Sequence, residues 1–235
     1  PQAKLEEITN QVNDHDKITV HLNSEITDAH GYIGNFESKI QGPEGEENIL
    51  HGIAIIATGG EEYKPSEFMY GTPGVSTQFE FEEKLVEGYS PDTVVMIQCV
   101  GSRCEERSYC SRVCCTGAVA NALKVKENNP DADIYVLYRD MRTYGFKEDY
   151  YREAAEKGVI FIRFEEDEPP QVTNDGGLKV IVKDPVLKEL VEIEPDALVL
   201  SAAILLQPDN VDLAGMFKVP LSKDKFFLEA HMKLR

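Results

Sequence analysis

The chain has 235 residues, 42% of them hydrophobic, and no apolar run long enough for a transmembrane helix, so composition alone points to a soluble protein of one or two domains. Its 42 acidic and 24 basic side chains give a formal charge of −18, which repels nucleic acid and anionic membrane surfaces and argues against both as partners. Acidic clusters such as Glu44-Gly45-Glu46-Glu47 and Glu165-Glu166-Asp167-Glu168 read as solvated faces. With Pro1 in first place and no basic-apolar leader, the chain reads as a piece of a longer polypeptide.

Residues 1–16 form a short helix or tail. From Ile18 the pattern becomes that of strands: Ile18-Thr19-Val20-His21-Leu22 alternates, and Glu25 to Ile40 reads as two strands broken near Gly31 and Gly34, a β-meander. A turn at Gly42-Pro43-Glu44-Gly45 precedes Ile53-Ala54-Ile55-Ile56-Ala57, which has the continuous apolar character of a buried strand and ends in Thr58-Gly59-Gly60. A strand finishing in Ala-Thr-Gly resembles the second nucleotide-contacting strand of flavoproteins with two dinucleotide domains, and the resemblance implies FAD contacts at Ala57, Thr58, Gly59 and Gly60. Residues 1–60 lack the G-x-G-x-x-G finger of such proteins, so they hold only part of a flavin site. Residues 61–92, with Pro65, Pro73 and Pro91, read as a connector; in it Thr77-Gln78-Phe79-Glu80 has the form of a capping box and opens a helix that stops at Gly88.

From Thr93 the elements alternate: strand 93–99, helix 109–128, strand 133–138, helix 147–157 and strand 159–164, an α/β core with parallel strands. All five cysteines lie where the first of these strands hands over to the first helix, at Cys99, Cys104, Cys110, Cys114 and Cys115. Helical spacing puts Cys110 and Cys114 on one face, and Cys99 approaches from the strand end. The helix N-terminus and Arg103, Arg107 and Arg112 favour thiolates, and so an anionic cluster or a metal ion. Ten residues separate Cys99 from Cys110, three separate Cys110 from Cys114, and Cys115 is adjacent. Zinc usually takes paired knuckles with about two to four residues between thiols, whereas an iron–sulfur cube tolerates irregular spacing. Buried thiols, a disulfide, a zinc-stiffened or disulfide-bonded interaction module, and a thiol redox pair at Cys114-Cys115 stay open on spacing alone. Grouping in one short stretch fits a reducing, cytoplasmic setting better than a secreted, stapled domain.

The run Gln98-Cys99-Val100-Gly101-Ser102-Arg103 followed by Tyr109-Cys110-Ser111-Arg112-Val113-Cys114-Cys115 resembles the cysteine signature of the heterodisulfide reductase A-subunit family. Tyr135 to Phe146 and Phe226 to Arg235 resemble it too. The resemblance implies a [4Fe-4S] cluster on Cys99, Cys110, Cys114 and Cys115, FAD held mostly by sequence outside this chain, electron relay between the two, and other oxidoreductase subunits as partners. It leaves Cys104 without a role and a homo-oligomer open.

A single glycine, Gly101, follows the first strand of this second unit, which argues against ordinary NAD binding. Asp140 reads as a loop ion pair before a ribose ligand, Arg139 and Arg142 as candidate anion or partner contacts, and Tyr144-Gly145-Phe146 as a turn with buried rings. Runs 178–183 and 189–194 form another meander before the buried strand 197–204, repeating the organisation of residues 18–60. A helix spans 209–217 and Phe226-Phe227-Leu228-Glu229 returns as a strand, while the lone His231 near the chain end reads as surface. The expected fold is α/β with two dinucleotide-fold-like units bearing meanders, like thioredoxin reductase, the first incomplete: residues 1–60 and 207–235 from the flavin unit, 61–92 a connector, and 93–206 the NAD-domain-like unit.

Overall fold

In the computed structural model, which describes residues 2–228, the chain opens with helix α1 (Gln2–Asn13) and a three-stranded antiparallel meander of β1 (Glu25–Tyr32), β2 (Asn35–Gly42) and β3 (Gly45–His51). Gly34 and Gly45 turn the chain between strands with φ of +92° and +123°, a conformation that favours glycine. Two expectations fail here. Residues 18–22 form no strand, and Ile18, Val20 and Leu22 stay exposed. Residues 53–57 do not form a buried strand either, for Ile53 and Ile55 are 74% and 90% exposed. A continuously apolar strand is stable only between neighbours that cover it, and among the described residues none pairs with this run.

The unit Gly60–Leu206 contains β4 (Gly60–Glu62), β5 (Val75–Thr77), α2 (Gln78–Val86), β6 (Thr93–Val100), α3 (Cys114–Asn128), β7 (Asp133–Tyr138), a 3₁₀ turn at Gly145–Lys147, α4 (Glu148–Glu156), β8 (Ile160–Arg163), β9 (Gln171–Thr173), β10 (Lys179–Asp184), β11 (Glu189–Ile193), β12 (Ala197–Ala202) and β13 (Ile204–Leu206). Its parallel sheet has the order β5-β12-β6-β7-β8. Residues 61–92 thus contribute β5 and α2 to this unit. The expected capping box starts α2: Thr77 Oγ1 accepts the Glu80 N–H, and the Glu80 carboxylate accepts the Thr77 N–H.

The apolar runs of β6 and β12 are continuous because both faces of the sheet are covered. On one side Val94, Met96 and Val199 pack against Phe81 and Leu85 of α2 and Ala118, Val119 and Ala122 of α3. On the other, Val95, Ile97, Leu198 and Leu200 meet Val180, Val182 and Ile193 of the antiparallel β9-β10-β11 meander. Sequence places β7 after β6 on one side and β12 on the other, so the strand order reverses at β6, and the crevice beyond its carboxyl end is where such sheets bind ligands.

Helix α5 (Asn210–Phe217) belongs with the first meander, packing on β1, and Phe217 meets Phe36 edge-on at 6.2 Å. The expected strand at 226–229 is absent among the described residues, where only an isolated bridge joins Leu221 and Phe227; Glu229 to Arg235, His231 among them, lie outside the described residues. Tyr144 and Phe146 are not buried turn rings but 55% and 94% exposed. No helix among the described residues is long and apolar enough to cross a membrane.

Candidate metal centre

Strand β6 delivers Cys99 to the carboxyl edge of the sheet, and the backbone then leaves regular geometry. Cys99, Gly101 and Arg103 all have left-handed φ, at +64°, +67° and +58°. Such conformations cost about 1–3 kcal/mol at a non-glycine residue and persist only where surrounding contacts enforce them. The Arg103 N–H donates to Tyr109 O at 3.1 Å and the Cys104 N–H to Arg107 O at 3.2 Å, folding 103–109 back on itself. Arg107 donates through Nε to Gly101 O and lays its guanidinium 4.3 Å from the Tyr63 ring centroid. Beyond the loop, the Tyr109 hydroxyl donates to Ile204 O at 3.0 Å and the Ile204 N–H to Ser111 Oγ at 2.9 Å. The loop is stapled on both sides of one residue at the β12–β13 break.

Helix α3 begins at Cys114, not near residue 109 as the spacing predicts. Arg112 adopts φ +64° and Ser111 is engaged with Ile204, so the chain cannot be helical through 110–112. Cys110 is therefore a loop residue and shares no helix face with Cys114. It nevertheless reaches the same place. Cys99, Cys110, Cys114 and Cys115 line one small cavity with Arg103, Asp140 and Arg142. Cys104 does not line it, and its thiol hydrogen-bonds Glu106, whose carboxylate is lowered first by its own backbone N–H and then by that thiol.

All five thiols are free. Cys114 Sγ donates to Ala202 O at 3.5 Å, Cys115 Sγ to Asp140 O at 3.8 Å, and the Arg112 N–H donates to Cys110 Sγ at 3.4 Å. Burial pushes the Cys114 thiol up to about 12 and Cys115 up to about 11, with the neighbouring thiols adding to the first. Burial raises Cys99 too, against the pull of Arg103. The expectation that helix terminus and arginines favour thiolates here is not met, because desolvation and mutual repulsion outweigh them. A cation among the sulfurs removes both penalties at once, so this donor set suits a thiophilic metal group.

Among the described residues no group of three or more His, Cys, Asp or Glu stands in the geometry that grips a single metal ion. Four thiols around one cavity, too spread for one ion, fit the wider body of an iron–sulfur cube better than a zinc tetrahedron. The residues of the expected flavin segment lie elsewhere in the chain: Thr58 Oγ1 donates to Asn210 Oδ1 at 2.8 Å, and Gly59, at φ +69°, has nothing within 4 Å of where a Cβ would stand, leaving its backbone open to close approach.

No protein-family model matches the chain. Over 218 residues, 83% of its length, it is 40% identical to the iron-sulfur A subunit of the CoB–CoM heterodisulfide reductase of Methanocaldococcus jannaschii, of which it covers 33%. It is 36% identical over 222 residues to one of two iron-sulfur A subunits of the CoB–CoM heterodisulfide reductase of Methanopyrus kandleri, again covering 33% of that protein. The chain belongs to the heterodisulfide reductase A-subunit family. It spans about a third of the length of these curated relatives. Among solved structures, T. acidophilum thioredoxin reductase superimposes with a TM-score of 0.52 at 16% identity, over 97% of this chain and 67% of that one. Lactococcus lactis thioredoxin reductase does so at 0.50 and 17% identity, over 89% and 61%. These establish the fold: the α/β arrangement with meanders is that of thioredoxin reductase, as the order of elements implies.

Not foreseen from the sequence are the anchors of the cysteine loop, Tyr63, Tyr109 and Ser111, which lie outside any cysteine pattern. Gly101 was the available signal, and the structure shows why it matters. A Cβ there would stand 2.3 Å from two ring atoms of Tyr63. Gly101→Ala is therefore expected to lower the urea midpoint by more than Gly71→Ala, where φ is also left-handed at +90° but the space is open. The Gly71 variant reports backbone strain alone, about 1 kcal/mol. Equal losses in the two would show that the Tyr63 contact is unimportant.

Proposed function

We propose that this chain is the part of a heterodisulfide reductase-like protein that holds a [4Fe-4S] cluster on Cys99, Cys110, Cys114 and Cys115. In the whole protein it would relay electrons between that cluster and an FAD contacted in part by Ala57, Thr58, Gly59 and Gly60. The observation that carries this reading is the convergence of four cysteines from a strand end, a loop and a helix start on one cavity at the edge of a parallel sheet, with the fifth left out. The M. jannaschii and M. kandleri relatives are named as iron-sulfur subunits, which supplies independent support.

The cluster, when bound, accepts and donates single electrons. The protein's share is to bury the sulfurs, to give them N–H···S contacts such as that from Arg112 to Cys110, and to limit water through the folded-back loop. No side chain need act as a general base or nucleophile. Other oxidoreductase subunits would supply donor and acceptor, in a reducing cytoplasmic compartment that keeps the thiols free, and the 235-residue chain alone is expected not to turn over substrate.

The test is iron and acid-labile sulfide analysis after oxygen-free preparation. About four of each per chain is the expected result, with broad visible absorption. Colourless protein with about one zinc per chain would replace this reading with a structural zinc site.

A further inference from the structure

Asp140 follows β7, and its carboxylate is committed. Arg103 Nη2 lies 2.7 Å from Asp140 Oδ2, and Arg142 approaches the same oxygen at 3.7 Å. The other terminal nitrogen of Arg103, Nη1, is 4.0 Å from Cys99 Sγ. The Arg103 side chain is only 18% exposed, so water screens this charge weakly. Its main chain is held on both sides: the N–H donates to Tyr109 O, and the carbonyl accepts Arg139 Nη1 at 3.0 Å. That grip maintains the left-handed φ of +58°, which an unconstrained arginine avoids. An oriented pair results, with its positive member against a cavity sulfur and its negative member one step further out.

We propose that Arg103 and Asp140 set the reduction potential of the group held by the four cysteines, Arg103 raising it and Asp140 lowering it. The inference rests on the cluster reading above. Reduction adds one electron and so one negative charge to the cluster and its sulfurs. A guanidinium beside Cys99 Sγ stabilises that added charge, and a carboxylate behind it opposes. The two residues therefore act with opposite sign although they touch one another. A purely structural pair would not behave this way, because breaking it from either side loosens the same loop.

The experiment compares intact wild-type, R103Q, R103K, D140N and R103Q/D140N chains after anaerobic assembly with ferrous iron and sulfide. Iron and sulfide content and far-UV circular dichroism are recorded, and dithionite then supplies the electron in a titration followed by electron paramagnetic resonance. R103Q is expected to shift the midpoint negative and D140N positive, each by about a tenfold change in the ratio of reduced to oxidised form, about 59 mV for a one-electron couple. R103K is expected to fall between wild type and R103Q, and the double variant to return towards wild type. If R103Q fails to fold or load, D140N and R103K carry the test. Loaded variants with unmoved midpoints, or D140N and R103Q moving in the same direction, would overturn the inference alone. A wild-type chain that holds no iron and sulfide overturns the cluster reading and this inference with it.

Discussion

Cys114→Ala is expected to cost the chain more than half of its iron after anaerobic assembly, and Cys104→Ala none. The two residues differ in placement. Cys114 is the first residue of α3, its thiol faces the shared cavity beside Cys99, Cys110 and Cys115, and its Sγ is within 3.5 Å of Ala202 O at the end of β12. Cys104 sits in the folded-back loop and is turned to Glu106. A [4Fe-4S] cube takes four thiolates, so losing one leaves a corner iron without its anchor. Even changes to the groups that merely support a metal's ligands lower affinity about 10–100-fold, and a lost ligand exceeds that. The fold should survive, since Cys114→Ala removes a small side chain and one weak S–H···O contact, worth about 1 kcal/mol at most. Iron and sulfide assays with circular dichroism as the folding control decide the matter for Cys99, Cys110 and Cys115 as well. Iron retained by Cys114→Ala and lost from Cys104→Ala would give the wrong ligand set.

Much of the second unit was legible because local chemistry and tertiary packing agree there. Thr77 and Glu80 cap α2 as their spacing implies, and the apolar runs at 93–99 and 197–204 are buried on both faces, although the latter breaks at Ala203 into β12 and β13. What could not be read was set by contacts remote in sequence. Helical periodicity through 109–128 is real as a pattern, yet the bonds of Tyr109 and Ser111 to residue 204 hold 109–111 in a loop and delay the helix to Cys114. The spacing of Cys110 and Cys114 thus joined them for a reason that does not apply; loop closure brings them together instead. Likewise the apolar character of Ile53 and Ile55 speaks of a strand buried in company, and periodicity cannot say whether the covering strands lie among the described residues.

The metal-free chain is expected to lose stability steeply between pH 9 and pH 11, while the loaded chain shows little of that loss. Burial and neighbouring sulfurs raise Cys114 to about 12 and Cys115 to about 11, from an ordinary thiol value of 9.0. Above that value the unfolded chain releases these protons while the folded chain keeps them. The folded state then binds more protons than the unfolded one, and its stability falls as pH rises; below pH 9 these thiols contribute no slope. Each thiol contributes about 1.4 kcal/mol per pH unit within its window, so two thiols over two units give on the order of 5 kcal/mol, a large part of the stability of an ordinary domain. Once the sulfurs bind metal they are already deprotonated, and the linkage disappears. Tyr89 and Tyr151, both raised by burial, titrate with the same sign, so the measurement needs a subtraction. Urea midpoints of the reduced, metal-free chain and of its Cys114→Ala/Cys115→Ala variant at pH 8, 9.5 and 11 provide it, the difference in slope belonging to the two thiols. Parallel slopes in the two chains would mean that these sulfurs are not desolvated, and with that the case for a cavity waiting on a cation would fail.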